Sequence, residues 1–512
     1  PDHPTTLLSM NCLAAAYHTV GLRDKSLPLI KLTFEMTKAK LGHDHPDTLR
    51  NMNNLAAAYQ AAGQLEESIQ LFEQALEMQK IKPGPNHADT LATLSNLAET
   101  YRKSGQLDKA LPLLAQKVEG LKTRLSADHR DTLNAMASMG GAYQDAGQMN
   151  KALPLLEETL EKMKAKLGAD DPDTLSAMFS LATSLWSVRK LDRSVPLFEE
   201  TLRLRKMKLG LDHEDTLLTM ANLGVNYRHS GRLAEAKSYL EKALDRAMAR
   251  LEPDHPTTLF IMEGLGSTYR FAGQMDKALP LLKQTMEMTK AKLGLDHPDT
   301  LRRMNNLAMA YLAAKELDKA LPLLEQTLER SKIKPGPHHP TTLFSMHNLA
   351  LTYRDAEKLD KAISLFEETV RERKTVLGPT NPDTLISMNG LARSYFAKGR
   401  YTDALPLFLQ TAEMWEKLNR ADAGGLYDAA CVRAVTAAVL EKAKTPGEET
   451  TRLANEQGDL AMAWLERAVA AGFNDVAHMK LNKDLNVLRG RDDFKKLMLD
   501  LEAKKKSGAS LK

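Results

Sequence analysis

The chain has 512 residues and is 43% hydrophobic and 27% charged but only 5% aromatic, enough apolar material for a core and too few rings for a β-sandwich or propeller. A formal charge of +4 is near balance and argues against a general binder of nucleic acid or membrane surfaces. Only Cys12 and Cys431 occur, far apart, so neither a disulfide framework nor a thiolate metal site is expected, and a cytoplasmic, reducing location fits. The sequence shows no uninterrupted apolar stretch of membrane-span length and no basic-then-apolar leader. It opens at Pro1 inside a loop motif, Asp2-His3-Pro4, that recurs downstream, which predicts a missing upstream part.

Shifted against itself by 42, the chain brings one leucine into register ten times, at Leu7, Leu49, Leu91, Leu133, Leu175, Leu217, Leu259, Leu301, Leu343 and Leu385. A tyrosine follows ten residues after each, from Tyr17 and Tyr59 to Tyr395, except in the fifth repeat, where Leu185 stands instead. One stacked structural unit is implied. In the second repeat, Pro46 to Ala62 carries Leu49, Met52, Leu55, Ala56 and Tyr59 at three-and-four spacing, which predicts a first helix, A. After Gly63, Leu65 to about Lys82 repeats the period through Ile69, Phe72, Ala75 and Leu76, a second helix, B. The turn is short, so A and B are antiparallel, and glycine stands in it in seven repeats, at 21, 63, 105, 147, 231, 273 and 399, where a left-handed helix end is needed.

The loop Asp44-His45-Pro46-Asp47-Thr48 supplies a side-chain acceptor, a first-turn proline and an early carboxylate to start helix A. Leu41-Gly42, or Pro83-Gly84 and Pro335-Gly336, ends helix B. Prolines at 28, 112, 154, 196, 280, 322 and 406 fall near the start of helix B, and a slight bend is expected there. Ala14, Ala56, Ala98, Gly140, Ala182, Gly224, Gly266, Ala308, Ala350 and Ala392 form a small-residue ladder that sets the helix spacing, and the methionines from Met10 and Met52 to Met388 fill core beside it. The regular register covers residues 1–420. Residues 421–472 read as a degenerate capping hairpin, with helices near Leu426 to Lys444 and Glu449 to Ala471 around a Thr445-Pro446-Gly447 break. Residues 473–512 read as two short helices around Arg489-Gly490-Arg491 and a frayed tail from Lys504. The fold class is all-α, a solenoid of stacked antiparallel helix pairs.

Leu55, Ala56 and Tyr59 in helix A, with Ser68, Phe72 and Ala75 in helix B, resemble the tetratricopeptide repeat in a longer form of 42 residues. The run Leu293 to Leu301, followed by Asn305-Asn306-Leu307-Ala308, is similar to the kinesin light chain version. The resemblance implies a right-handed superhelix whose inner wall is helix A, with extended peptides lying along it. The segment Ala468 to Phe473 through Leu488 to Phe494 resembles the tail after such repeats in bacterial serine/threonine kinases.

An asparagine stands before the helix A leucine at Asn54, Asn96, Asn222, Asn306 and Asn348, with Asn11, Asn53, Asn305 or Asn389 beside some of them. An amide both donates and accepts, so a row of them can pair with the backbone of an extended guest; the alternative is bonding to neighbouring helices. Arg102, Arg228, Arg270 and Arg354 follow the helix A leucine by five residues, with Gln60 and Gln144 equivalent and Arg393 nearby, and would favour acidic guests or else form a solvated face. Eight histidines share one loop position, His3, His45, His87, His129, His213, His255, His297 and His339; one per repeat leaves them about 10 Å apart, too far for a common metal, so they read as helix-start residues. His129-Arg130-Asp131 spells a kinase triplet, but Met136 stands where its asparagine should be, and Glu157-Glu158 and Glu199-Glu200 read as solvent-facing pairs. No catalytic constellation, metal site or cofactor motif is found. The expected function is a non-catalytic scaffold for a protein or peptide partner, with no nucleic acid or membrane partner; the alternatives are the regulatory part of an enzyme whose catalytic domain precedes Pro1, and a self-assembling architectural solenoid. The oligomeric state stays open.

Overall fold

The computed structural model describes residues 4–19, 23–417, 423–442, 447–473 and 475–506; His3, Gly21, Thr445-Pro446, the tail from Ser507 and the side chain of Asn11 lie outside the described residues. All its regular elements are helices. The first repeat pairs Pro4–Thr19 with Arg23–Leu41 and the tenth pairs Pro382–Ala397 with Tyr401–Lys417. The capping hairpin is Ala423–Glu441 with Glu448–Ala470, followed by helix Val476–Leu481, a 3-10 turn Lys483–Leu488 and helix Asp492–Lys506. The tail thus holds one helix more than the two expected, because Asp475 caps a separate short helix by accepting from the His478 N–H at 3.0 Å. The chain divides into two compact blocks, residues 1–184 and 185–512.

From the second repeat on, the start of helix A is built by a loop side chain, most often a histidine. The Nδ1 of His45, His87, His129, His213, His255, His297 and His339 accepts from the amide two residues on, at 3.2 or 3.3 Å, and Asp171 and Asn381 do the same with carboxylate or amide oxygens at 2.9 Å. The threonine of the same loop, which the sequence reading left unused, is buried, and in most repeats it donates back to the end of helix B, as Thr48 Oγ1 does to the Gly42 carbonyl at 2.7 Å; Thr174 and Thr216 are buried without that bond.

The turn between A and B closes the same way in every repeat in which it is described. In the second repeat the Gln64 N–H donates to the Tyr59 carbonyl at 2.9 Å and the Gly63 N–H to Gln60 at 3.1 Å, with Gly63 at φ 79. Where no glycine is present, Arg189, Lys315 and Glu357 still take φ of 61, 63 and 59, and the same long bond forms from Lys190, Glu316 and Lys358. Hairpin packing therefore imposes the left-handed residue at a local cost of about 1–2 kcal/mol. Helix B runs unbroken through each of its prolines, at the sixth helical residue, for example Pro112 in Leu107–Arg124.

The leucine ladder is buried at every described position, and the methionines beside it, such as Met52, Met178 and Met388, are fully enclosed. A Cβ placed on Gly140, Gly224 or Gly266 would sit 2.5, 2.7 or 2.7 Å from Leu156, Leu240 or Leu282 of its own helix B, so the small-residue ladder does set the hairpin spacing. The tyrosines join one hairpin to the one before it. Tyr227, Tyr269 and Tyr353 donate to Glu199, Glu241 and Glu325, each 28 residues upstream on the previous helix B, at 2.5, 2.8 and 2.6 Å; Tyr101–Glu73 and Tyr395–Glu367 repeat the bond. Upstream of Tyr59, Tyr143 and Tyr311 the same position holds Lys31, Ala115 and Lys283. Glu199 is exposed, as its solvent-facing reading expects, and in addition serves as an acceptor for Tyr227.

Among the described residues one helix, Ala423–Glu441, is long and apolar enough to cross a membrane by length and composition, an exception that the sequence reading passed over. It is 83% buried and serves as the core of the cap, packed on Trp415, Trp464 and Leu485.

Candidate binding surface

Helix A packs on helix A of the next repeat between Pro46–Ala61 and Ala88–Lys103 in the first block and from Glu214–His229 through Pro382–Ala397 in the second, whereas helix B packs chiefly on the A helices. The A helices therefore form one side of the stack in each block. Two rows of polar side chains stitch this side, each spanning 40 residues. In one row Asn53 donates to Thr93 at 2.8 Å, Asn305 to Ser345 at 2.7 Å, and His347 meets Ser387 at 3.1 Å. In the other, Gln60 donates to Thr100 at 2.7 Å and Ser184 to Gln144 at 2.5 Å. Gln60, Gln144, Asn53 and Asn305 are thus engaged in the stack, the second of the two roles open to such amides.

The five asparagines of the next row differ among themselves. Asn54 and Asn96 are exposed; Asn222 is half-buried and donates to its own helix at Leu218, 2.9 Å. Asn306 donates to Glu263 at 2.6 Å, and Asn348 is buried at 4% exposure with its amide nitrogen unpartnered. The arginines differ too. Arg102 pairs with Asp145 at 2.6 Å and Glu99 at 2.9 Å, and Arg354 with Asp355 at 2.9 Å. Arg393 holds the cap to the tenth repeat through Asp484, where Asn482 also donates to Tyr427 at 2.8 Å. Burial pushes the Cys431 thiol up beside this cluster. In the kinase-like triplet, His129 caps its helix and Arg130 pairs with Asp171 and Asp173 of the next loop at 2.7 and 2.6 Å.

The second block concentrates positive charge. Arg228 and Arg270 lie 5.4 and 4.3 Å from the Phe271 ring, and Arg189 approaches Nδ1 of His229 at 2.8 Å. Burial, and then the nearby Arg270, push Arg228 down to about 10, while Glu263 opposes the shift. Glu263 itself is 7% exposed and engaged by Arg302, by Arg303 at 3.4 Å and by Asn306. Sequence reading missed Glu263, although it stands in the Asn53 row and Arg303 in the Thr93 row, the same 40-residue pairing. The wall also borders a cavity of about 420 Å³ lined on one side by Arg189, Arg228 and His229 and on the other by Trp415, Tyr427 and Phe473 of the tenth repeat and cap.

A tetratricopeptide repeat profile matches in overlapping windows from residues 5–81 to 341–417. Among solved structures, a Podosopora anserina kinesin light chain-type protein with nearly identical TPR-like repeats is 28% identical over 40% of this chain and 97% of that one, with a TM-score of 0.38. BtubC (BKLC) from P. vanneervenii is 19% identical over 46% of this chain and 91% of that one, with a TM-score of 0.35. A human IFIT1 dimer with m7Gppp-AAAA is 19% identical over 82% and 89%, with a TM-score of 0.47. A comparison with curated proteins finds no match.

Proposed function

Because the chain belongs to the tetratricopeptide repeat family, we propose that it is a non-catalytic scaffold that holds an extended polypeptide segment along its helix A side. The observation that carries this reading is the pair Asn54 and Asn96, exposed amides at the same position of consecutive repeats. Packed helices stand about 10 Å apart and a strand advances about 3.3 Å per residue, so such amides meet an extended guest about once every three residues. Each amide can both donate to and accept from the guest backbone, which gives affinity that depends little on guest sequence. Asn222, Asn306 and Asn348 belong to the same row, but Asn306 and Asn348 are held by or enclosed in the stack, so the binding weight falls on the second and third repeats. Arg102 and Arg354 are paired with Asp145, Glu99 and Asp355, so a preference for acidic guests rests on Arg228 and Arg270.

The test is a peptide array of extended acidic and neutral sequences, read by fluorescence anisotropy with the full chain. Asn54→Ala with Asn96→Ala should weaken captured peptides by about tenfold, a loss on the scale of one or two hydrogen bonds. Asn348→Ala, at a buried site, should leave the affinity of the folded protein unchanged. Undiminished capture by a folded Asn54→Ala/Asn96→Ala variant would remove the reading.

A further inference from the structure

We propose that the furrow between the B helices of the fifth and sixth repeats, Leu191–Leu209 and Leu233–Arg250, binds an acidic peptide segment that inserts one large apolar side chain. The site is built on helix B rather than on the asparagine row, so it goes beyond the extended-guest reading, and all of it falls within residues 185–512.

The repeat itself supplies the standard from which this furrow departs. One helix B lysine recurs in the period, and a carboxylate meets it in either of two places. It stands three residues back in Lys122–Glu119 at 2.8 Å and Lys290–Glu287 at 3.6 Å, and on the next helix B in Lys332–Glu368 at 3.0 Å. In the fifth repeat that lysine is Lys206, and both places carry a cation instead: Arg203 at the position of Glu119 and Glu287, and Lys242 at that of Glu368. Among the described residues none of these three cations forms an ion pair; Arg203 donates to Sδ of Met207 at 3.5 Å, and Lys206 lies 5.9 Å from the Tyr239 ring. Burial, and then Arg246 and Lys242, push the Lys206 ammonium down. The nearby acids are engaged elsewhere. Glu199, at the edge of the furrow, accepts from Tyr227 at 2.5 Å and lies 3.8 Å from Arg232. Asp212 takes Arg246 at 2.6 Å and Arg250 at 3.6 Å, and Glu241 accepts from Tyr269 of the following repeat at 2.8 Å. Like charges left unbalanced in one furrow repel one another, so an acidic guest relieves that repulsion as it binds.

The furrow also has room for an apolar anchor. Helix B packs chiefly on the A helices, which leaves a gap between consecutive B helices, and here the buried Leu202 and Leu223 form its floor. Met207, 75% exposed, stands at the rim, and Tyr239 replaces the leucine that every other repeat carries at its position, such as Leu197 and Leu281. The space is about 370 Å³, within the roughly 300–1,000 Å³ usual for a bound group. Lys206 and the edge of Tyr227, whose centroid is 5.4 Å away at 65°, already contact the Tyr239 ring, so the furrow suits an aliphatic side chain better than a stacked nucleobase.

The experiment is fluorescence anisotropy of the full chain with a short labelled peptide of glutamates around a single leucine. It should bind about tenfold tighter than the same peptide with glutamines for its glutamates, and about tenfold tighter than one with serine for its leucine. Arg203→Glu with Lys242→Glu installs the acids that other repeats carry at these positions, so folding is not at risk, as circular dichroism will check. That variant should weaken the acidic peptide by about tenfold or more. Asn54→Ala with Asn96→Ala should leave the affinity for this peptide unchanged, so this site and the extended-guest reading fail separately. Three results would each overturn the proposal: equal affinity for the glutamate and glutamine peptides, a folded Arg203→Glu/Lys242→Glu variant that binds as the wild type does, or an oligouridylate that binds more tightly and displaces the peptide.

Discussion

The helix A side of the first block and that of the second use the same repeat to opposite ends. In the first, Arg102 lies between Asp145 and Glu99 at the surface and the neighbouring amides Asn54 and Asn96 stay exposed. In the second, Gly224, Gly264 and Gly266 let consecutive A helices and their B partners close up, and residues 257–269 are almost wholly buried. Enclosed there, Glu263 becomes the shared counter-charge of Arg302 and Arg303. How closely consecutive A helices pack thus decides whether a charged residue of this side is an outward-facing contact or an internal fixture.

The largest effect should come from Glu263→Gln, which leaves buried guanidiniums without their carboxylate and should cost about 3 kcal/mol, read as a lowered urea midpoint. Asp145→Asn, which breaks the exposed pair with Arg102, should cost no more than about 1 kcal/mol. Equal losses would erase the distinction between the two walls. Next, Gly266→Val places a side chain against Leu282, where even a Cβ comes within 2.7 Å of Cγ. A loss of about 1–3 kcal/mol is expected, with hydrogen exchange quickened first around residues 256–293 and residues 46–124 little changed.

The smallest effect is one of pH. Burial first, and then hydrogen bonds to Glu241, Glu325 and Glu367, push Tyr269, Tyr353 and Tyr395 up to about 12. These raised values mean that the folded chain keeps phenolic protons that the unfolded chain releases near pH 10. Their contribution is fully present below about pH 10 and is lost as pH rises toward 12. Replacing all three by phenylalanine should flatten the fall of the urea midpoint over that window; an unchanged fall would place its origin elsewhere.

Much of this protein was legible from residue order alone. The 42-residue period, the paired helices, the buried leucine and small-residue ladders and the capping role of the loop histidines all follow from local spacing, because each depends on residues within one hairpin or its immediate neighbour. The 28-residue tyrosine–glutamate and 40-residue amide–hydroxyl pairings were written there as well, but only coordinates show that the two positions meet. Tertiary packing alone decided that Asn54 faces solvent while Asn348, in the same row, is enclosed, since burial depends on how closely adjacent hairpins approach. It also decided that Arg189, Lys315 and Glu357 adopt a glycine's conformation, because contacts along two whole helices outweigh the preference of one turn residue. Finally, it brought the Arg228 cluster opposite the rings of the cap, a meeting of residues nearly two hundred positions apart that no local period encodes.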